Sequence, residues 1–257
     1  MLGAWAVQRR TRNAGIVDLV WAAGIGMSGV AYAVFATGWL PRRILVGALA
    51  GLWSFRLVTH LAARLRRESE DGRYADLRVR LGARFDAWML VFFQAQALLA
   101  VLLSLALLVP AAATETGFGM RDGAAVLLWI TALVGEGIAD KQLRAWRADP
   151  ANKGRTCRSG LWRYSRHPNY FFEWIHWLAY PVLAIGLPWG WAVWLAPLVM
   201  LVLVVKVTGI PPTEAQSLRS RGADYRAYQQ STNAFFPWFP RVVDSSDKSA
   251  RNLSASL

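Results

Sequence analysis

Trp88–Val109 reads WMLVFFQAQALLAVLLSLALLV, a run without a charged side chain. As an α-helix rising 1.5 Å per residue it covers about 33 Å, enough to cross the hydrocarbon of a bilayer. A soluble core helix keeps a polar face, whereas the overlapping stretch Ala95–Ala113 is apolar almost all round, as is Trp189–Val207. Windows of similar character recur near Ile16–Phe35, Ile44–Ala63, Gly123–Ala139 and Phe171–Leu187. The last two windows in the chain meet at Pro188, which is compatible with a hairpin or a broken helix. With 55% hydrophobic residues and 14 Trp, the chain reads as an all-α, polytopic integral membrane bundle of six spans.

Basic residues orient those spans. The segment from Arg64 to Arg84 carries Arg64, Arg66, Arg67, Arg73, Arg78, Arg80 and Arg84, and the one from Lys141 to Arg166 carries eight Lys or Arg. Pro41–Arg43 has two, Pro110–Asp122 only Arg121, and the turn at Pro188 none. The excess of cations on cytoplasmic loops then places both rich segments, the N-terminus with Arg9, Arg10 and Arg12, and the C-terminus in the cytoplasm. Six spans agree with that parity.

A net charge of +13 does not point to nucleic acid, because the cations sit in short segments beside the membrane and form no separate basic domain. Topology and anionic lipid account for most of it. The single cysteine, Cys157, excludes an intramolecular disulfide. No cleavable signal is evident, since the opening apolar residues are few and Arg9 and Arg10 follow them. Walker and dinucleotide-fold glycine motifs are missing, and His60, His167 and His176 lie in three segments, so no metal is expected. The stretch after Pro240, rich in Ser and charge, reads as a disordered tail over 241–257, behind one domain over 1–240.

Polar side chains within apolar runs are costly and tend to face a cavity. Asp18, followed by Trp21, stands at the start of the first run. Trp53, Arg56 and His60, spaced three and four apart, share one face of the second. Asp140, Arg144 and Arg147 follow helical spacing off the fourth, and Arg155 and Arg158 lie in the basic segment behind them. Arginine forks suit phosphate. In Arg163-Tyr164-Ser165-Arg166-His167-Pro168-Asn169-Tyr170-Phe171-Phe172-Glu173, Pro168 can open a helix, so Asn169, Tyr170 and Glu173 project beside free backbone N–H groups. Such an end suits an anion.

Taken together, Asp18-Leu19-Val20-Trp21, Arg73-Tyr74, the run from Gly160 to Trp174, and Asp224-Tyr225-Arg226-Ala227-Tyr228 followed by Phe235-Phe236-Pro237 resemble the bacterial branch of the steroid 5-alpha-reductase family, over about residues 13–240. The Arg-His-Pro-x-Tyr core is shared with sterol C14 reductases and isoprenylcysteine carboxyl methyltransferases. The resemblance implies a bacterial inner-membrane enzyme of six to seven spans that transfers hydride from NADPH to the carbon–carbon double bond of a lipophilic enone, such as a 3-oxo-4-ene steroid. It implies cofactor contacts at Arg73, Asp140, Arg144, Arg147, Arg155, His167, Asn169, Tyr170 and Glu173, on the cytoplasmic side. A Glu and a Tyr that grip the substrate carbonyl in animal members are replaced here by Asp18 and Trp53, which puts steroid specificity behind reductase chemistry. Arg56 and His60 complete the expected catalytic set.

That chemistry suits the residue types. Hydride addition to an enone builds negative charge on the carbonyl oxygen, which a donor in a water-free site stabilises. Asp18, desolvated and protonated, is expected to be such a donor. The alternatives are an S-adenosylmethionine-dependent methyltransferase, whose smaller cofactor leaves much of the arginine set without phosphate, and a non-catalytic lipid-binding protein that uses the charges for orientation and headgroups.

Overall fold

The computed structural model describes residues 1–67 and 70–241. Its helices are α1 (Leu2–Thr11), α2 (Ile16–Phe35), α3 (Leu40–Arg67), α4 (Gly72–Leu81), α5 (Phe85–Ala111), α6 (Met120–Ala148), α7 (Pro168–Leu183), α8 (Leu195–Val202) and α9 (Ile210–Ser231), and no strand occurs among the described residues. Five helical stretches are long and apolar enough to cross a membrane: Ile16–Phe35, Leu40–Arg66, Gly72–Ala111, Met120–Ala148 and Gly190–Ser231. The protein is a polytopic helical membrane protein.

Two boundaries differ from the expectation, and both have local causes. The apolar run from Phe171 to Leu187 is helical only to Leu183, because the chain then turns through Gly186 at φ 79° and Trp189 at φ 62°. At 16 residues α7 is about 24 Å long, shorter than a bilayer core. The basic segment after Arg64 is the end of α3 followed by a separate helix rather than a loop. Asp71 starts α4 by accepting the Arg73 backbone N–H at 2.9 Å. Of the expected tail over 241–257, all but Arg241 lies outside the described residues.

The described chain falls into two compact units, Met1–Leu133 with Trp174–Leu203, and Val134–Glu173 with the described residues from Val204 onward. In the first, α2 and α3 meet along a seam of small residues. A Cβ on Gly26 would overlap the Cβ of Ser54, and one on Gly29 would overlap that of Ala50. The Ser54 hydroxyl donates to the Ala22 carbonyl at 2.9 Å. Dispersion between closely approaching backbones and a hydrogen bond across them hold helices together where lipid removes the hydrophobic drive. At the far end of α3, Arg42 is 1% exposed and donates to Asp122 through Nε (3.3 Å) and Nη2 (3.4 Å), and to the Gly117 carbonyl at 3.0 Å. Asp122 in turn accepts the Gly119 N–H at 2.8 Å and so caps α6.

The second unit is built from the C-terminal part of α6, the connection 149–167, the first turn of α7, and α9. Its connection is tied down residue by residue. Gln142 accepts the Leu161 N–H (2.9 Å), the Trp162 indole donates to Ala139 (2.9 Å), and Ser165 Oγ donates to the Phe235 carbonyl (2.8 Å). The Tyr228 hydroxyl donates to the carbonyls of Trp162 and Ser165. The apolar part of the last crossing stretch covers 190–207, beyond which α9 carries Arg219, Arg221, Asp224 and Arg226.

Candidate functional site

In the first unit, Asp18 is the third residue of α2, beside helix N-terminal N–H groups that favour a carboxylate. Its Oδ1 accepts the Tyr74 hydroxyl at 3.0 Å and its Oδ2 accepts Arg73 Nη2 at 3.3 Å. Arg73 reaches Asp71 as well, through Nε at 3.1 Å, and Arg64 Nη2 meets the same carboxylate at 2.7 Å. Burial works against an ionised Asp71, but Arg73 and Arg64 outweigh it and hold its carboxyl below the ordinary value. Asp18 therefore enters the structure as an acceptor within an alternating charge cluster. A small open cleft beside it is lined by Asn13, Gly15, Asp18, Leu61, Arg64 and Asp71, among others. Arg73 thus joins the Asp18 group.

Deeper in the same unit, Trp53 is fully buried and stacks face to face on His176, with ring centroids 4.6 Å apart and planes 8° from parallel. Trp21 and Trp177 meet its ring edge-on at 6.3 and 5.8 Å. The sequence offers Trp53 as an indole donor or a stacking wall, and its ring face is stacked on His176. Arg56 and His60 follow on the same face of α3, half-buried, and Arg56 lies within electrostatic reach of His176.

In the second unit the Arg-His-Pro motif bends the chain into α7, which begins at Pro168, where a missing N–H costs no helical bond. Glu214 on α9 collects this corner. It accepts Arg166 Nε at 2.6 Å, His167 Nε2 at 3.2 Å, the Tyr225 hydroxyl at 3.3 Å and Gln229 Nε2 at 2.7 Å. His167 is 4% exposed and stacks on Tyr170 at 5.3 Å, and Tyr170 hydrogen-bonds Thr213 at 3.1 Å. Burial holds the His167 imidazole below its ordinary pKa even though Glu214 pulls it up, so the neutral ring donates its Nε2–H to the carboxylate. Asn169 and Glu173 are half-buried on the first turns of α7. Asp140, 9% exposed, precedes Arg144 and Arg147, both exposed, on α6, and Arg155 is exposed in the connection.

A family model for proteins of unknown function, DUF1295, matches residues 4–232. The chain belongs to the DUF1295 family. No curated protein and no solved structure matches it. Among the described residues of this DUF1295 protein, no group of three or more His, Cys, Asp or Glu is arranged to hold a metal ion.

The structure thus groups the sequence-derived residues in two sets. Asp18, Trp53, Arg56, His60 and Arg73 belong to the first unit, and Asp140, Arg144, Arg147, Arg155, His167, Asn169, Tyr170 and Glu173 to the second. It adds residues that spacing does not single out. Tyr74 binds Asp18, Glu214 organises the motif, and His176 stacks on Trp53. Arg221, over the Tyr225 ring at 5.1 Å, stands within electrostatic reach of Arg147. The helical spacing of Asp140, Arg144 and Arg147 is visible in the sequence, whereas Arg221 comes from a helix far along the chain.

Proposed function

We propose that this DUF1295 protein is an NADPH-dependent reductase of the carbon–carbon double bond of a lipophilic enone, with its cofactor residues and termini on the cytoplasmic side of a bacterial inner membrane. The observation that carries the reading is Arg221, half-buried on α9 with its Nε–H left without a partner, in the unit that also holds Arg144, Arg147 and Arg155. Arg221 Nε is out of solvent with no hydrogen-bond partner among the described residues, while its Nη2 donates to Ser217 Oγ at 2.5 Å. Asp224, also within reach, is already engaged by Arg158 Nη2 at 2.9 Å and the Thr156 N–H at 2.7 Å. A guanidinium with a donor left over, in a unit rich in further arginines, fits a dianionic phosphate, the group that distinguishes NADPH from NADH. The resemblance of the Gly160–Trp174 motif to the steroid 5-alpha-reductases, a membrane family to which the DUF1295 family is similar, supports the same reading.

Arg147 and Arg221 would hold the phosphate, with Arg144 and Arg155 near it in sequence, while Asn169 and Glu173 present an amide and a carboxylate at the start of α7. Bound NADPH supplies the hydride. The protein's own part is to position an enone from the bilayer, keep water away and neutralise the charge that develops on its oxygen. In this reading the face of α3 bearing Trp53, Arg56 and His60 serves the substrate, and Asp18 serves by fixing Arg73 and Tyr74.

Titration of the detergent-solubilised protein with NADPH and NADH, followed by nicotinamide fluorescence, tests the cofactor. A charge-assisted hydrogen bond contributes about 1.5–3 kcal/mol, so Arg147→Ala and Arg221→Ala should each weaken NADPH roughly ten- to a hundredfold and leave NADH nearly unchanged. Equal affinities for both dinucleotides in all three proteins refute the assignment.

A further inference from the structure

Exposed apolar side chains on the crossing helices face lipid, but one apolar stretch of the second unit lies beyond the last of those helices, which ends at Ser231. Residues 234–240 read Ala-Phe-Phe-Pro-Trp-Phe-Pro, without a charged or hydroxyl side chain. Phe236, Trp238 and Phe239 are 55%, 68% and 74% exposed, and Pro237 between them is exposed as well. An extended segment lying along a protein surface turns every second side chain inward. Four exposed in a row mean that this loop stands out from its unit.

The loop is held in place from both sides. Ser165 Oγ donates to the Phe235 carbonyl at 2.8 Å, the Trp238 N–H to the Tyr164 carbonyl at 2.9 Å, and the Arg241 N–H to the Ser231 carbonyl at 2.8 Å. Phe235, 5% exposed, is buried at its base, with its ring edge-on to Phe171 at 5.8 Å, and Phe239 meets the Tyr164 ring edge-on at 6.0 Å. A backbone fixed in this way cannot fold the rings away from water, so a partner that covers them is favoured.

Three features select the bilayer as that partner. A flat protein face covers one side of a projecting loop, whereas lipid surrounds it. Pro237 and Pro240 carry no N–H and the Trp238 N–H is spent on Tyr164, so little backbone has to be desolvated. Phe236 also meets the Phe171 ring at 6.2 Å, and Phe171 opens the apolar run that continues along α7, so the loop is continuous with the chain's entry into hydrocarbon. Trp is at home at that boundary, and the exposed Arg163 and Arg241 beside the loop's two attachments suit headgroup phosphates. The chain's remaining residues, 242–257, contain no aromatic side chain and are rich in Ser and charge, which makes them a poor cover for the rings.

We propose that Phe236-Pro237-Trp238-Phe239 is an interfacial anchor that inserts into the adjoining leaflet of the bilayer, with Arg163 and Arg241 at its headgroup phosphates. The anchor ties the Arg-His-Pro motif to the membrane surface, because Tyr164 and Ser165, which hold the loop, immediately precede Arg166-His167-Pro168.

The test uses the full chain in nanodiscs of phosphatidylcholine and phosphatidylglycerol in equal parts. Cys157 is 2% exposed, so a nitroxide reagent reacts with an introduced thiol instead. Phe236→Cys and Phe239→Cys report on the loop, both at exposed positions, and Lys153→Cys on the exposed polar side of the same unit. Spin relaxation by oxygen, which concentrates in lipid, should exceed relaxation by a water-soluble nickel chelate at 236 and 239, and the order should reverse at 153. Nickel relaxation at 236 and 239 equal to that at 153 places the loop in water and overturns the proposal. Protection from both agents means that protein covers the loop, the chain's own 242–257 or a second copy, and overturns it equally. Arg163→Glu combined with Arg241→Glu should raise nickel relaxation at 239, and no change there refutes the headgroup contacts.

Discussion

Glu214→Ala removes the one carboxylate that Arg166 and His167 share, and so asks whether the Arg-His-Pro motif holds the fold or the cofactor. The side chains of Arg166, His167 and Glu214 are 11%, 5% and 14% exposed. Stripping one partner from a buried ion pair costs about 3–5 kcal/mol. Arg166 keeps its bonds to the carbonyls of Gln229 and Thr232, which puts the expected loss at the low end, about 3 kcal/mol. For a chain of this length that is a fall in unfolding temperature of roughly 6–12 °C. Thermal unfolding of the detergent-solubilised protein by circular dichroism measures it, and His167 supplies the control. His167→Gln preserves an N–H near Nε2 and should melt close to wild type, whereas His167→Leu should lose stability like Glu214→Ala. In all of these variants that remain folded, NADPH affinity should stay within about threefold of wild type, because in this structure His167 spends its Nε2–H on Glu214. A tenfold loss of NADPH in His167→Gln at unchanged melting temperature refutes the argument and makes His167 a direct cofactor ligand.

Gly26→Ala should destabilise by about 1–3 kcal/mol, since its methyl group meets Ser54, and Ser54→Gly in the same chain should recover part of the loss; unfolding temperatures of both proteins check this. Arg42→Met leaves Asp122 buried without its cation and should cost about 3–5 kcal/mol, while Arg42→Met combined with Asp122→Leu should cost less than the single change; chemical denaturation of the two proteins compares them. For pH, His167 has a folded-state pKa below its unfolded value, so between the two the unfolded chain binds more protons. Stability therefore rises with pH through the window just below 6.5 and is lost as the solution is acidified through it. Asp71, also held low, adds loss in the same direction below about 3.8. Melting curves between pH 4 and 8, compared with those of His167→Gln, show whether that slope belongs to His167.

Much of the helical architecture is legible because hydrocarbon leaves little choice. A charge-free run such as Trp88–Val109 can satisfy its backbone only as a helix, and α5 covers it from Phe85 to Ala111. The first run, read as Ile16–Phe35, has the same bounds as α2. What apolarity does not report is where a helix stops inside an apolar run. Nothing in the hydropathy of Leu183 to Leu187 differs from the residues before it, and the end of α7 is set by turns at Gly186 and Trp189. Nor does hydropathy distinguish a basic loop from a basic helix, so α4 is hidden behind its arginines even though Asp71-Gly72-Arg73 carries an N-cap. The pairing of α2 with α3 rests on Gly26 and Gly29 meeting Ser54 and Ala50, and only the register of the two helices brings those small residues face to face.

The candidate sites divide along the same physical line. Spacing along one helix is readable, and it assembles Trp53 with Arg56 and His60, and Asp140 with Arg144 and Arg147. Contacts that depend on two distant segments are not, and it is these that change the chemistry. Asp18 is expected from sequence to donate a hydrogen bond, and in the structure Arg73 and Tyr74, 55 and 56 residues later, both reach its carboxyl oxygens. In the sequence His176 is merely one of three scattered histidines. Its packing is set by two neighbours: Tyr180 one turn on, which the sequence shows, and Trp53 on α3, which it does not.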